Sequence, residues 1–366
     1  MKKRIAVLGA TGSIGESALD IITRDSENFE IVLLTAHSSR IELEKLKTQF
    51  PKAVCILSSE EKGKEKLLSA IKNVKADIVL NGISGAAGLE PSLAAINAGS
   101  LLALANKETL VMAGNLILNL AKEKNVNIIP VDSEHSAIFH LLKTINKDEL
   151  SEIILTASGG PFRKLTLKEM EKVTVEDALA HPTWKMGAKI TVDSASMANK
   201  GLEIIEACVL FNLPPEKIKV VIHPQSIIHS MIRLSNGVFY AQLSKPDMRH
   251  PIHDALYWPH TTPSALEPLN FDSLTLEFSK PEIEKFPMLE LAWKAAKQGG
   301  LYPCAYNAAN EVGVKAFLEK RIGFMDIPEI TQRVLEEDWS SDISSLEEIL
   351  EADKKARIIA VNILKA

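Results

Sequence analysis

The chain has 366 residues, 46% hydrophobic and 24% charged, which is enough for two or three domains with cores of their own. A formal charge of -5, from 42 basic and 47 acidic side chains, argues against a nucleic-acid partner, which would select a basic face. No apolar run reaches the ~18 residues of a membrane span. The apolar part of the N-terminus stops at Gly9, too early for a secretory signal. Cys55, Cys208 and Cys304 are few, odd in number and far apart, which fits a reducing cytoplasm and excludes a Cys-x-x-Cys metal or redox motif.

Residues 4–8 read as a strand, followed at once by Gly9-Ala10-Thr11-Gly12-Ser13-Ile14-Gly15 and by an amphipathic helix from near Glu16. Strand, glycine turn and helix in this order form a dinucleotide-binding unit. The glycines admit a pyrophosphate to the backbone, and the helix N-terminus supplies N–H donors and positive dipole. The spacing is G-x-x-G-x-x-G, and its placement between strand and helix meets the context such a motif requires. A second strand, residues 30–36, ends in His37-Ser38-Ser39-Arg40, where NAD-binding enzymes usually carry Asp or Glu. Two hydroxyls and a guanidinium suit a 2′-phosphate, which favours NADP; Arg40 equally suits a solvated helix start.

Further apolar runs at residues 53–57, 77–80, 101–105 and 126–131 alternate with helical patterns at 41–50, 89–98 and 109–123. Such alternation predicts a parallel, doubly wound sheet. Asn106-Lys107-Glu108 falls at a strand's carboxyl end. Lys107 there can bind a substrate oxygen or act as an acid, or it is a surface lysine near a helix start. Asn127-Ile128-Ile129 leads into Pro130-Val131-Asp132-Ser133-Glu134-His135. Asp-x-Glu at a strand end supplies hard oxygen ligands for a divalent cation such as Mg²⁺ or Mn²⁺, where open α/β sheets bind ligands. Alone it equally suits a polar turn.

Beyond Ser133 the pattern becomes mixed α+β. A strand at 152–156 leads into Ser158-Gly159-Gly160-Pro161, a turn able to wrap an anion. The stretch from His181 to Asp193 reads as loop, with Trp184 and Met186 suited to a lid. A helix is expected from about Ser194 to Phe211, its first turns carrying Ser194, Asn199 and Lys200 as a phosphate site. Lys200 and Glu203 share a face three residues apart, which equally suits an ion pair. Strands at 220–222, 230–234 and 238–243 follow, and residues 259–281 read as a linker. Helical periods then cover 289–297, 306–320, 327–337 and 346–364, with Asn307 and Asn310 read as structural.

These motifs together resemble the 1-deoxy-D-xylulose 5-phosphate reductoisomerase family. The resemblance rests on residues 9–15, Ala105-Asn106-Lys107-Glu108, residues 130–135, Ser158 to Phe162, His181-Pro182, residues 184–187, Val192-Asp193-Ser194, residues 199–203 and residues 223–230. The motifs run in family order over nearly the whole chain. The resemblance implies an NADPH-binding Rossmann-like domain (1–132), an α+β catalytic and dimerisation domain (133–258), a linker (259–283) and a helical C-terminal domain (284–366). It implies a cytoplasmic homodimer that isomerises a phosphorylated sugar by retro-aldol cleavage and re-joining and reduces the product with NADPH, the committed step of the non-mevalonate route to isoprenoid precursors.

By the same resemblance Asp132, Glu134 and Glu203 ligate Mg²⁺, Mn²⁺ or Co²⁺, and Lys107, Glu134 and His181 are the acid–base candidates. Ser133, Ser158, Trp184, Ser194, Asn199, Lys200 and Glu203 join Lys107, Glu134 and His181 around the substrate. Thr11, Gly12, Ser13, Ile14, Asn106, Glu108 and Gly187 contact NADPH, with Ser38, Ser39 and Arg40 at the 2′-phosphate. At that last position the family often has Gly-Lys-Asn, so the usual lysine is missing here. Two rivals are a thiol-dependent dehydrogenase, which needs an activated cysteine, and a silent NADP-binding regulator, which needs neither the three carboxylates nor Lys107.

Overall fold

The computed structural model describes residues 1–184, 186–341 and 345–365; Lys185, within the expected lid, lies outside them. The residues pack as two compact units. The first comprises Met1–Thr109, Ile117–Ser136 and Asp247–Glu267, and the second Leu110–Leu116, Ala137–Pro246 and Pro268–Ala366.

In the first unit the chain alternates β1 (Lys3–Leu8), α1 (Ser13–Arg24), β2 (Phe29–Ala36), α2 (Arg40–Gln49), β3 (Val54–Leu57), α3 (Gly63–Asn73), β4 (Ile78–Asn81), α4 (Leu89–Asn97), β5 (Leu101–Leu104), α5 (Glu108–Glu123) and β6 (Ile128–Pro130). All strand pairs are parallel, in the order β3-β2-β1-β4-β5-β6. The order reverses between β1 and β4, which makes this edge a topological switch point where α/β sheets bind ligands. The strands read as continuous apolar runs because helices cover both faces: Ile5, Ala6, Val7 and Leu8 are fully buried, as are Val79 and Leu80. Each of the buried Ile, Val and Leu side chains contributes roughly 1.5–3 kcal/mol on burial.

The chain leaves the first unit inside α6 (Ser133–Leu141) and enters the second. There follow β7 (Leu150–Ala157), α7 (Leu167–Met170), α8 (Val175–Leu179), α9 (Ala188–Ala195), α10 (Ala198–Leu210), β8 (Ile218–Ile222), β9 (Ile228–Leu234) and β10 (Phe239–Leu243). These strands form a mixed sheet in the order β10-β9-β7-β8, with β7 parallel to β8 and antiparallel to β9. Helix α11 (Arg249–Tyr257) returns to the first unit, where Arg249 pairs with Asp20 of α1. The second unit then closes with α12 (Pro287–Gln298), α13 (Tyr302–Leu318), α14 (Asp326–Leu335) and α15 (Leu346–Ile363).

The stretch from His181 to Phe211 differs from the sequence expectation. The loop after His181 ends at Gly187, and α9 occupies much of the stretch expected to be lid. The single helix expected from Ser194 is two helices, broken where Met197 takes φ +61°. A left-handed residue cannot continue an α-helix, and a methionine gives no sequence sign of adopting one.

Candidate active site

At the switch point of the first unit, Gly9 has φ +78°, and a Cβ there would lie 2.8 Å from the Gly82 carbonyl that follows β4. Gly15 is closed off differently: a Cβ on it would sit 2.5 Å from the Ala10 Cα, so helix and turn could not pack as they do. Gly12 caps α1 without such crowding. Thr11, Gly12, Ser13 and Ile14 therefore form an open turn ending in the N-terminus of a 12-residue helix, the arrangement that takes a pyrophosphate.

The ends of β2 and β3 come together through Ser58 N–H to the Ala36 carbonyl, 2.9 Å, and Ser59 N–H to the His37 carbonyl, 3.0 Å. His37 Nδ1 lies 3.1 Å from Ser58 Oγ. Arg40 donates to Glu60 Oε1 at 2.6 Å, with both side chains exposed. Glu60 and Ser58 come from β3's far end, some 20 residues away, and nothing local in the sequence links them to residues 37–40.

Asn106 is buried at the end of β5. Its amide donates to the carbonyls of Ile83 and Gly85 and to Glu108, while its Oδ1 accepts from Thr109. It fixes the 83–85 loop against the start of α5. Next to them, Lys107 Nζ donates to Asp132 Oδ2 at 2.7 Å. Asp132 Oδ1 lies 3.2 Å from His135 Nδ1 and accepts the Glu134 N–H at 3.2 Å. Ser133 donates to Glu134 Oε2 at 2.5 Å. Lys107 is 4% exposed, which sets aside the surface-lysine reading. Asp132 and Glu134 present only hard oxygen donors at the carboxyl end of β6, a chemistry that fits Mg²⁺, Mn²⁺ or Co²⁺ and not a soft-metal site.

In the second unit, Ser158 follows β7 and its Oγ lies 3.1 Å from His181 Nε2. His181 Nδ1 accepts the backbone N–H groups of Thr183 and Trp184 at 3.1 and 2.9 Å. Two donors aimed at Nδ1 require the tautomer with the proton on Nε2, so His181 donates to Ser158, and Ser158 keeps its own O–H for a further acceptor. Burial, and then the nearby Arg163 guanidinium, hold the His181 pKa below its ordinary value. Trp184 lies near His229 with the rings tilted 54° and their centroids 6.5 Å apart, and His229 Nε2 meets Ser244 Oγ at 2.8 Å.

Ser194 lies near the end of α9 and not at a helix start, while Asn199 and Lys200 occupy the first turn of α10. Gly187 is exposed at the N-cap of α9. Glu203, fully buried, accepts from Lys200 Nζ at 2.5 Å and from Asn199 Nδ2 at 2.6 Å. The i,i+3 ion pair therefore forms, but buried, where a charge is kept only with such partners. Asn310, read as structural, reaches Asp193 beside Ser194 at 2.8 Å.

No cysteine is primed as a nucleophile. Burial raises the Cys55 thiol, raises Cys208 to about 12 and raises Cys304 further. A thiol held this high is protonated at neutral pH, which removes the thiol-dependent dehydrogenase.

Family models for 1-deoxy-D-xylulose 5-phosphate reductoisomerase match residues 5–64 and 60–114, and those for its C-terminal domains match 128–211 and 243–359. The chain is 48% identical to the 1-deoxy-D-xylulose 5-phosphate reductoisomerase of Treponema denticola, over 98% of this chain and 97% of that one. It is 43% identical to the enzyme of Treponema pallidum, over 98% and 96%. Among solved structures, the Zymomonas mobilis enzyme in complex with NADPH superposes with a TM-score of 0.91 at 40% identity, covering 100% of this chain and 99% of that one. A reductoisomerase in complex with NADPH, fosmidomycin and magnesium gives 0.92 at 38% identity, covering 99% and 98%. The chain belongs to the 1-deoxy-D-xylulose 5-phosphate reductoisomerase family.

Proposed function

We propose that this chain converts 1-deoxy-D-xylulose 5-phosphate to 2-C-methyl-D-erythritol 4-phosphate, using NADPH and a divalent cation, as the committed step of the non-mevalonate route. The observation that carries the reading is the group of buried Lys107 with half-buried Asp132 and Glu134 at the carboxyl end of β6, on the same sheet edge as the glycine turn after β1. A dinucleotide turn and an all-oxygen ligand pair on one edge suit a reductase whose substrate is chelated by metal.

Asp132, Glu134 and Glu203 supply the metal ligands, and the NADPH pyrophosphate takes the turn at Thr11, Gly12, Ser13 and Ile14. When bound, the cation acts as a Lewis acid on the substrate ketone and its neighbouring hydroxyl, and the nicotinamide supplies the hydride. Lys107 orients Asp132 and donates to a substrate oxygen as negative charge develops there. Ser158 turns its O–H to the substrate while neutral His181 holds it in place. Ser194, Asn199 and Lys200 bind the phosphate, far from the reacting carbons, where binding energy serves orientation. Ser133 and Trp184 complete the substrate surround, and Gly187 with Asn106 and Glu108 serves the cofactor side. Ser38, Ser39 and Arg40 take the 2′-phosphate.

We assign the functional division as residues 1–132 for NADPH, 133–258 for catalysis and dimerisation, 259–283 as linker and 284–366 as helical C-terminal part. Edge strand β10 exposes Phe239 and Tyr240, with Val238 before it, which supports pairing of two copies there. The three free thiols support a cytoplasmic setting. Among the described residues no helix is long and apolar enough to cross a membrane.

The test follows NADPH oxidation with 1-deoxy-D-xylulose 5-phosphate, with Mn²⁺ or with a chelator, and NADH in parallel. Metal-dependent turnover preferring NADPH is expected. Folded protein that binds NADPH yet shows no turnover with added metal overturns the reading in favour of the regulator.

A further inference from the structure

A buried polar pair in the second unit, Asp193 and Asn310, lies beside Ser194 and has no part in the roles assigned above. Asp193 on α9 is 1% exposed. Its Oδ2 lies 3.0 Å from Lys189 Nζ one turn earlier, and its Oδ1 accepts from Asn310 Nδ2 of α13 at 2.8 Å. Asn310 is fully buried, and only its NH₂ group can face a carboxylate, so the amide orientation is set. Farther along the same helix Asn307 donates to Glu311, which accepts from Arg357 of α15, itself held by Asp353. Tyr306, one turn before Asn310, is fully buried, and burial together with Asp193 raises its phenol pKa well above the ordinary value.

The backbone that follows Asp193 has little room on its other side. A Cβ added to Gly160, in the turn that carries Ser158, would lie 2.7 Å from the Ser194 carbonyl oxygen. The Asp193 carbonyl accepts from Ser196 Oγ at 3.3 Å, and Ser196 Oγ accepts the Ala198 N–H at 3.3 Å, just ahead of Asn199 and Lys200. The end of α9 is thus wedged between the Gly160 turn and Asn310, and it hands its position on to the first turn of α10.

We propose that Asn310 is a positioning residue for the substrate phosphate: through Asp193 it sets the end of α9, and so places Ser194 and the first turn of α10 for phosphate binding. The C-terminal helices thereby tune affinity for the phosphorylated substrate without touching it. The inference rests on the reading that Ser194, Asn199 and Lys200 bind that phosphate.

The test is the steady-state kinetics of Asn310→Asp, Asp193→Asn and the double exchange. Asn310→Asp sets two carboxylates face to face; in the double exchange the amide at position 193 donates to the new carboxylate and its oxygen accepts from Lys189. Losing a charged, buried hydrogen bond should raise KM for 1-deoxy-D-xylulose 5-phosphate about tenfold or more. The kcat and the KM for NADPH should stay within about twofold, and the double exchange should return the substrate KM to within about threefold of the parent. A merely structural role would move all three constants together. Should Asn310→Asp not fold, Asn310→Ala removes the donor without adding charge and is judged by the same criteria. An unchanged substrate KM, an equal change in the NADPH constants, or no recovery in the double exchange overturns the inference. Ser194→Ala separates the two readings. If it leaves the substrate KM unchanged, the phosphate assignment fails; if it raises that KM while the Asn310 variants do not, only the role of Asn310 fails.

Discussion

Gly201 sits in α10 between Lys200 and Leu202, where that helix packs on α12 and α13. A Cβ on Gly201 would lie 2.8 Å from the Ala292 Cβ, 3.3 Å from the Met288 carbonyl oxygen, and closer still to the Tyr306 hydroxyl. Carbon atoms at rest stay about 3.5–4 Å apart, and Ala292 has no rotamer through which to yield, so whole helices must separate. Overpacking of this kind costs up to about 3 kcal/mol, and the better helix propensity of alanine returns about 1 kcal/mol. Gly201→Ala should therefore destabilise by about 2 kcal/mol, which lowers Tm by roughly 4–8 °C in a unit of this size. Tyr306→Phe in the same chain removes the nearest obstacle and recovers part of the loss. On its own it gives up the 3.1 Å hydrogen bond to the Met288 carbonyl, about 1 kcal/mol. Thermal and urea melts of the four proteins should give a favourable coupling of about 1 kcal/mol or more between the two positions. A Gly201→Ala protein as stable as the parent, or a strictly additive cycle, would refute the close-packing argument.

Glu203→Gln should abolish turnover while leaving NADPH binding within about twofold, because the carboxylate's ligand charge is lost but the side-chain shape remains; retained activity would remove Glu203 from the ligand set. Burial, and then Arg163, lower the His181 pKa, so kcat/KM for the sugar phosphate should fall only below the ordinary imidazole range of about 6.5. Its depressed pKa also makes its share of folding stability complete above that range and lost as pH falls through the folded-state value. Removing the neighbouring positive charge with Arg163→Gln should shift the acid limb to higher pH, and a limb that stays in place would show that His181 does not control it. Glu60→Gln frees Arg40 for the 2′-phosphate and should lower KM for NADPH by no more than about fivefold, since an exposed ion pair contributes only about 0–1 kcal/mol. KM for NADH should not move; an equal shift for both cofactors would detach Arg40 from the 2′-phosphate.

The six-stranded parallel sheet was legible almost strand by strand. Its strands are buried on both faces, so each is a continuous apolar run, and the glycines at 9 and 15 mark a turn that other residues could not make. Two helices of that unit escaped notice for physical reasons. In α11 the proline at 251 and the histidines at 250 and 253 hide the period, although a proline in the first turn breaks no helical hydrogen bond. In α3 the apolar side is reduced to Leu67, Ile71 and a few partly covered neighbours among lysines. The break at Met197 carries no residue-type sign: Ser196 Oγ donates to the Asp193 carbonyl and accepts the Ala198 N–H across it, bonds that many polar helix residues make without a break.

Lys107, Asp132 and Glu134 were legible as candidates for the same reason as the sheet, since they stand beside strand ends that local patterning locates. Long-range pairings were not: Ser158 and His181, each expected at the site, are 23 residues apart, and Asp193 and Asn310 are 117 apart. A buried asparagine reads like any other until the carboxylate it serves is known. The alternatives weighed for Arg40 and for the Lys200–Glu203 pair have the same origin, because the choice between solvated face and ligand site depends on burial. Burial decides them differently: Glu203 is fully enclosed and its ion pair must be complete for the charge to persist, whereas Arg40 and Glu60 stay in water and can exchange partners. Substitution at Glu203 should therefore act as a switch, and substitution at Glu60 as an adjustment.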